Sequence, residues 1–412
     1  MKDLFAEENR RRLTLKSGKE RVVANRHPWI FGGAIARESG PDDAAIADLI
    51  DSSGTRVASG LHSLHSQIRL RALTFGAEEL TADTIRSRIE RSIRRRDPIL
   101  RNGTSAARLI NADGDDLSAL VVDRYGDVIV IEIANSGLEK ILRVFPSRED
   151  GEESPAKHPF GGFLASLGMT RLAYFKNDLP VRKLERLPLE PEVIGQGEPA
   201  ATIEENGLRF FVDAREGQKT GFFLDQRENR AMTRSLGQGR RVLNLFSYTG
   251  AFGVYAAAGG AAAVENVDVS AAAIEGARQN HELNGTTAAF TVADAFAFLR
   301  ERVAAQRHVD FLICDPPAFA KTRGDVDRAA RGYKDINLYA LRLLESGGLL
   351  MTFSCSGHLS LDLFQKVIFA AALDAGRRVS FVRRLTAGQD HPVSLYCPEG
   401  EYLKGFLLEV HD

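Results

Sequence analysis

The feature that most constrains this chain is the order of elements in its C-terminal half. From about residue 240, β-rich runs at 242–246, 263–268, 288–292, 309–314 and 349–354 alternate with helical patterns. That alternation predicts an α/β domain with a mostly parallel sheet. Open sheets of this kind bind ligands in the crevice beyond the carboxyl ends of their strands. Three of those ends carry an acid: Asp268 after the second strand, Asp294 after the third, and Asp315 of Asp315-Pro316-Pro317 after the fourth. One loop aspartate is usually a cap or turn residue. Three at successive strand ends point to a site.

The first strand leads into Phe246-Ser247-Tyr248-Thr249-Gly250 and then an alanine-rich helical stretch. A glycine-bearing turn here lets a nucleotide-like ligand approach the backbone. By itself the turn is weak, because it also suits any tight strand-to-helix connection, and it is not the G-x-G-x-x-G of dinucleotide enzymes. Asp268 follows Gly250 by 18 residues, near the spacing at which an acid meets a ribose hydroxyl pair, a spacing dehydrogenases share. The fifth strand ends in Thr352-Phe353-Ser354-Cys355-Ser356-Gly357-His358, which sets a thiol on the rim of the same crevice. In a 3-2-1-4-5 strand order, the fourth strand lies between the first and the fifth. Asp315 and Cys355 then become neighbours, and the nucleotide-like ligand faces both.

A thiol and an acid converging on such a ligand suit methylation at C5 of a pyrimidine. That carbon is a poor nucleophile until a thiolate adds to C6, and cysteine supplies a thiolate near neutral pH when its surroundings lower its pKa. In this reading Cys355 attacks C6 and Asp315 binds or protonates N3 of cytosine. No residue is singled out as the base for the C5 proton.

At 412 residues, the chain exceeds what one hydrophobic core organises, and two or three domains are expected. Up to about residue 75, short alternating segments such as Arg21-Val22-Val23, Ala34-Ile35-Ala36 and Ile68-Arg69-Leu70 suggest a small β domain. Ile85, Ile89 and Ile93 mark an amphipathic helix expected to end at Pro98. Its other faces carry Arg86, Arg88, Arg91, Arg94, Arg95 and Arg96, either a solvated face or a phosphate-binding stripe. The second reading has appeal because a net charge of −1 leaves any basic footprint local. Residues 117–133 read as a hairpin, and 147–159 (SREDGEESPAKHP) as an exposed insertion.

Cys314, Cys355 and Cys397 are too few for a disulfide framework and suit a reducing cytoplasm. Cys314 reads as core packing within a strand, and Cys397 as a loop thiol. No metal site is expected, since histidines such as His62 and His65 lack matching partners. The absence of a long apolar run or a leader-like start points to a soluble cytoplasmic protein with no membrane association.

Several runs together resemble the ribosomal RNA large subunit methyltransferase I family of cytosine-C5 methyltransferases. They are QKTGFFLDQR (218–227), FSYTG (246–250), DPPAF (315–319), GYKDIN (332–337), FSCSG (353–357) and PEGEYLK (398–404), with RHPWIF (26–31) near the start. The resemblance implies an N-terminal PUA-like β-barrel that binds RNA (1–77) and a middle α+β domain (78–195) of strand–strand–helix–strand–strand type around 108–182. It also implies a class I, Rossmann-like S-adenosylmethionine-dependent methyltransferase domain (196–412). By the same likeness Arg227, Phe246, Tyr248, Thr249, Asp268, Asp294 and Asp315 line the cofactor site, with Ser247 and Gly250 in the same turn. Asp268 would meet the ribose, Asp294 would lie near adenine, and Cys355 would be the nucleophile. The substrate implied is a cytosine in 23S rRNA. Phe319 or Tyr333 would stack on an extruded base, and the PUA-like fold suggests surfaces for a homodimer.

Three other readings compete. In an amino-group methyltransferase the Asp315-Pro316-Pro317 turn would hold an exocyclic nitrogen and no thiol would be needed. Uracil C5 methylation would use the same parts. A non-catalytic RNA-binding or assembly factor would keep the scaffold alone.

Overall fold

A computed structural model describes residues 3–145, 158–168, 171–320 and 322–412. The chain forms two compact units. One comprises Met1–Ile203, Val212–Phe222 and Asp390–Gly400; the other comprises Glu204–Phe211, Phe223–Gln389 and Glu401–Asp412.

The second unit is built on a seven-stranded sheet. In spatial order its strands are Ala289–Val292, Ala263–Asp268, Arg241–Leu245, Val309–Cys314, Leu344–Ser354, Lys404–His411 and Arg378–Thr386. Numbered along the chain this order is 3-2-1-4-5-7-6. The first five run parallel, and the last two are antiparallel additions. Side chains of successive strand residues point to opposite faces, and here both faces are apolar. Leu243, Leu245, Leu312, Cys314 and Leu350 pack into one core. Val242, Phe311, Ile313, Met351 and Phe353 pack into the other. Burial on both faces is what gives these strands continuous apolar runs rather than clean alternation.

Helices between the strands start on side-chain caps. Ser270, Asp294 and Ser360 accept from backbone N–H groups three residues on, satisfying donors that a helix start leaves open. The first strand and its helix are joined differently. Gly250 takes φ 74° and opens the helix Ala251–Ala258 with no side-chain cap.

The first unit holds two sheets. A six-stranded sheet runs Trp29–Phe31, Ile68–Phe75, Arg56–His62, Ile46–Ile50, Arg11–Leu15, Ile35–Ser39 around a small core including Leu13, Ile30, Leu49 and Leu70. The segment Arg21-Val22-Val23, expected to be extended, is a short helix, Arg21–Ala24. Three residues are too few to reveal a period, and a single turn suffices to pack Val22 and Val23 against that core.

The five-stranded sheet runs Glu192–Gly195, Leu172–Phe175, Val128–Ile133, Leu120–Tyr125, Ala106–Asn111. The hairpin expected at 117–133 is its centre. Three strands precede the helical segment here, not the two of a strand–strand–helix–strand–strand unit. The expected insertion at 147–159 lies outside the described residues except for His158 and Pro159.

The arginine-rich helix spans Ala82–Leu100 and continues past Pro98, which falls in its last turn, where a missing N–H costs little continuation. Its arginines have structural partners. Arg96 and Asp115 form a fully buried pair at 2.6 Å, joined by Arg95 at 3.3 Å. Arg91 pairs with Asp116, Arg94 with Glu90, and Arg86 lies over the Phe145 ring. Arg88 donates to the Asp116 carbonyl. With its charge neutralised locally, this face is a structural one rather than a phosphate-binding stripe.

Candidate active site

The carboxyl ends of the parallel strands bring together most of the residues singled out by sequence. At the end of the first strand the chain turns sharply. Phe246 and Tyr248 sit at φ 53° and 48°, the left-handed region that ordinary side chains avoid and that clusters at functional sites. The turn is held from behind: Ser247 N–H donates to the Val267 carbonyl, and Tyr248 N–H donates to Asp268 Oδ2 at 2.9 Å. Asp268 Oδ1 accepts from Ser270 N–H. This carboxylate therefore fixes both the turn and the start of the following helix.

The glycines of the turn admit no side chain. A Cβ on Gly250 would stand 2.7 Å from the Ala277 Cβ, and one on Gly253 would stand 2.3 Å from Asn266 Oδ1. Asn266 is buried in a row with Asn244 and His281, and burial lowers the His281 pKa to about 4. The helix thus approaches the sheet through a neutral, hydrogen-bonded layer.

Asp294 is exposed and caps its helix through Oδ1 to Ala297 N–H at 3.0 Å. Arg227, buried at the start of helix Arg227–Leu236, lies 3.8 Å from Glu205 and 3.6 Å from Glu228. It belongs to an ion cluster in which Arg230 grips Glu205 at 2.9 and 2.7 Å.

Asp315 and Cys355 follow the fourth and fifth strands, whose register pairs Cys314 with Thr352. Asp315 Oδ2 accepts from Gln226 Nε2 at 3.0 Å, and Gln226 is held through its other amide atom by Asn229 at 2.6 Å. The loops carrying the acid and the thiol are tied by Ser356. Its Oγ accepts from Ala320 N–H at 3.2 Å and lies 3.0 Å from Tyr333 Oη. The half-buried Cys355 thiol is 3.7 Å from the Pro316 carbonyl.

Tyr333 is fully buried between Phe319 and Phe364, so it supports the thiol loop and offers no face to an extruded base. Phe319 remains partly exposed. Cys314 is buried, where burial drives its thiol pKa upward, in keeping with a packing role.

Two contributors were not singled out from sequence. Gln226 orients the acid. Lys404, buried on the antiparallel strand opposite Ser354, donates to the carbonyls of Ser356 at 2.8 Å and Tyr402 at 3.0 Å. Burial lowers its pKa while the charge of Cys355 raises it. Both residues lie inside the runs 218–227 and 398–404 but are distant in sequence from the strand ends that drew attention.

Residues 191–394 match the model of the S-adenosylmethionine-dependent methyltransferase family, and 13–75 match that of the PUA-like domain. A protein of Shewanella denitrificans named ribosomal RNA large subunit methyltransferase I is 42% identical over 97% of this chain and 99% of its own. One from Escherichia coli with the same name is 39% identical over the same shares. The chain belongs to the ribosomal RNA large subunit methyltransferase I family. Among solved structures, a methyltransferase complexed with SAH superposes with a TM-score of 0.79 at 23% identity, covering 97% of this chain and 99% of that one. A second, described as a SAM-dependent methyltransferase from Streptococcus mutans, gives 0.78 at 22%, with the same coverage. These share the fold.

S-adenosylmethionine is the cofactor of the ribosomal RNA large subunit methyltransferase I family, and the turn after the first strand fits it. Ser247 Oγ and Thr249 Oγ1 are buried without a hydrogen-bond partner among the described residues, next to glycines that admit no Cβ. A ligand rich in hydroxyl and amino groups at this turn would meet those atoms.

Among the described residues one His/Cys/Glu group is close enough to suggest a metal: His27, Cys397 and Glu399, with ligand atoms within 4.8 Å. His27 Nδ1 accepts from Trp29 N–H, which leaves the proton of the neutral ring on Nε2, facing Glu399 at 3.1 Å. Cys397, expected as a loop thiol, is buried, and burial pushes its pKa up to about 12. The three side chains satisfy one another in protonated form. No helix among the described residues is long and apolar enough to cross a membrane.

Proposed function

We propose that this member of the family forms 5-methylcytosine in large-subunit ribosomal RNA, in the cytoplasm, through a covalent adduct of Cys355 with C6 of the base. The observation that carries the proposal is the pairing of loops through Ser356, which sets the Cys355 thiol against the Asp315-Pro316-Pro317 turn. A PUA-like domain at 1–77 and a middle domain at 78–195 would present RNA to the methyltransferase domain at 196–412.

In the proposed reaction the Cys355 thiolate adds to C6, and N3 takes up a proton while held by Asp315. That addition moves electron density onto C5. Bound S-adenosylmethionine supplies an electrophilic methyl group on its sulfonium. C5 then carries both a methyl group and a proton; loss of that proton to a base, with N3 giving up its own, expels Cys355 and restores the ring. Gln226 keeps the Asp315 carboxylate turned to one side, and Arg227, Phe246, Ser247, Tyr248, Thr249, Gly250, Asp268 and Asp294 surround the cofactor. The Lys404 ammonium favours the thiolate of Cys355, as a neighbouring cation does.

A 5-fluorocytosine-containing rRNA fragment tests the adduct, because fluorine at C5 cannot leave as a proton does. Wild type should give a denaturation-stable protein–RNA band and Cys355→Ala none. Equal bands, or no band from wild type that methylates the unfluorinated fragment, would rule the adduct out.

A further inference from the structure

The first unit contains a cavity of about 450 Å³, outside the proposed active site, within the size range of small-ligand sites. It lies at the start of helix Ser136–Arg143. On one side His62, 2% exposed, presents Nε2 without a partner among the described residues. Its Nδ1 lies 3.0 Å from the Ala44 carbonyl, so Nδ1 carries the proton and Nε2 is an acceptor. Burial lowers the ring's pKa, which keeps it neutral. On the other side Glu185, also 2% exposed, uses Oε2 to accept from Ser136 N–H and Oγ–H. Glu185 Oε1 is buried and has no partner among the described residues.

Two buried acceptors facing one cavity call for a ligand with several N–H donors, since unsatisfied buried polar atoms cost about 1–3 kcal/mol each. The cavity is also lined by Lys140, Arg143 and Arg186. Arg186 is exposed, makes no ion pair among the described residues, and is held at φ 55°. An amine or guanidinium compound would satisfy the acceptors and be repelled by these cations. A nucleotide satisfies both: the amino-bearing edge of its base meets His62 and Glu185, and its phosphate meets the cations.

We propose that this cavity binds a nucleotide through the donor-bearing edge of its base, guanine offering the most N–H groups and uracil the fewest. The site goes beyond the proposed methyl transfer and needs no part of it. It gives the first unit a means of base-selective reading.

The test uses the full-length protein and labelled oligouridine hexamers with a central guanosine, adenosine, cytidine or uridine, followed by fluorescence anisotropy. The central guanosine should bind about tenfold tighter than uridine. Glu185→Gln replaces an acceptor with an amide that can turn a donor inward, and should shrink or reverse that preference. Arg186→Ala should weaken all four hexamers alike. Guanosine monophosphate as competitor separates the sources: displacement means that a free nucleotide suffices, and failure to displace means that the strand is required. Equal affinity for the four hexamers, no binding, or an unchanged preference in folded Glu185→Gln would overturn the proposal.

Discussion

Lys404 donates to the carbonyl of Ser356, the residue after Cys355, at 2.8 Å, so a buried ammonium braces the loop that carries the thiol. Its two acceptors are backbone carbonyls, and its charge interacts with Cys355. A nearby cation typically lowers the pKa of an acidic group by about one unit or more. Lys404→Met should therefore raise the pH at which Cys355 becomes reactive to iodoacetamide by about one unit, and Lys404→Arg should restore much of it. Because Cys314 and Cys397 are buried, the alkylation rate reports Cys355. Identical pH profiles for wild type and Lys404→Met would remove the electrostatic role.

Asp268 accepts from Tyr248 N–H and from Ser270 N–H. Asp268→Ala would free the turn and remove the acceptor assigned to the ribose. Titration calorimetry should show S-adenosylmethionine binding at least about tenfold weaker, roughly 1.4 kcal/mol, with the far-UV spectrum preserved. Unchanged affinity would place the cofactor elsewhere.

Glu132 has its pKa raised to about 7, chiefly by burial, while Arg108 opposes the shift. For a carboxyl raised on folding, the stabilising preference for the protonated form is complete below the unfolded value, near 4.5. It fades as pH rises, and above about 7 the folded state bears the full cost of ionising the group. Glu132→Gln should thus raise the melting temperature at pH 8 by about 3 °C and leave it nearly unchanged at pH 4.5. An equal gain at both pH values would mean that packing, not ionisation, is responsible.

The Arg96–Asp115 pair is almost wholly buried, and Asp115 also accepts from Asn111 N–H. Asp115→Ala strands a buried guanidinium, and loss of one partner of such a pair costs about 3–5 kcal/mol. Denaturant unfolding should register that loss in the first unit. A change under about 1 kcal/mol would show that the pair behaves like a surface bridge.

Much of the site could be read in the sequence because parallel strands are short, apolar and evenly spaced, so their carboxyl ends, and the acids and thiol there, can be counted off. Asp268, Asp294, Asp315 and Cys355 were found in this way. What could not be counted off depends on pairing. Lys404 arrives on an antiparallel strand added beyond the fifth, and only the register with Ser354 reveals its place. Tyr333 resembles a surface aromatic in sequence, but its helix turns it inward under Ser356. The arginines of Ala82–Leu100 looked like a phosphate stripe because their acidic partners Asp115 and Asp116 lie after another strand.

The measurement closest to the central claim is transfer of a labelled methyl group from S-adenosylmethionine to large-subunit rRNA by wild type and Cys355→Ala, followed by nucleoside analysis. The account predicts label in 5-methylcytidine with wild type and none with the mutant. Label on an exocyclic amine or in 5-methyluridine, or normal methylation by Cys355→Ala, would contradict it.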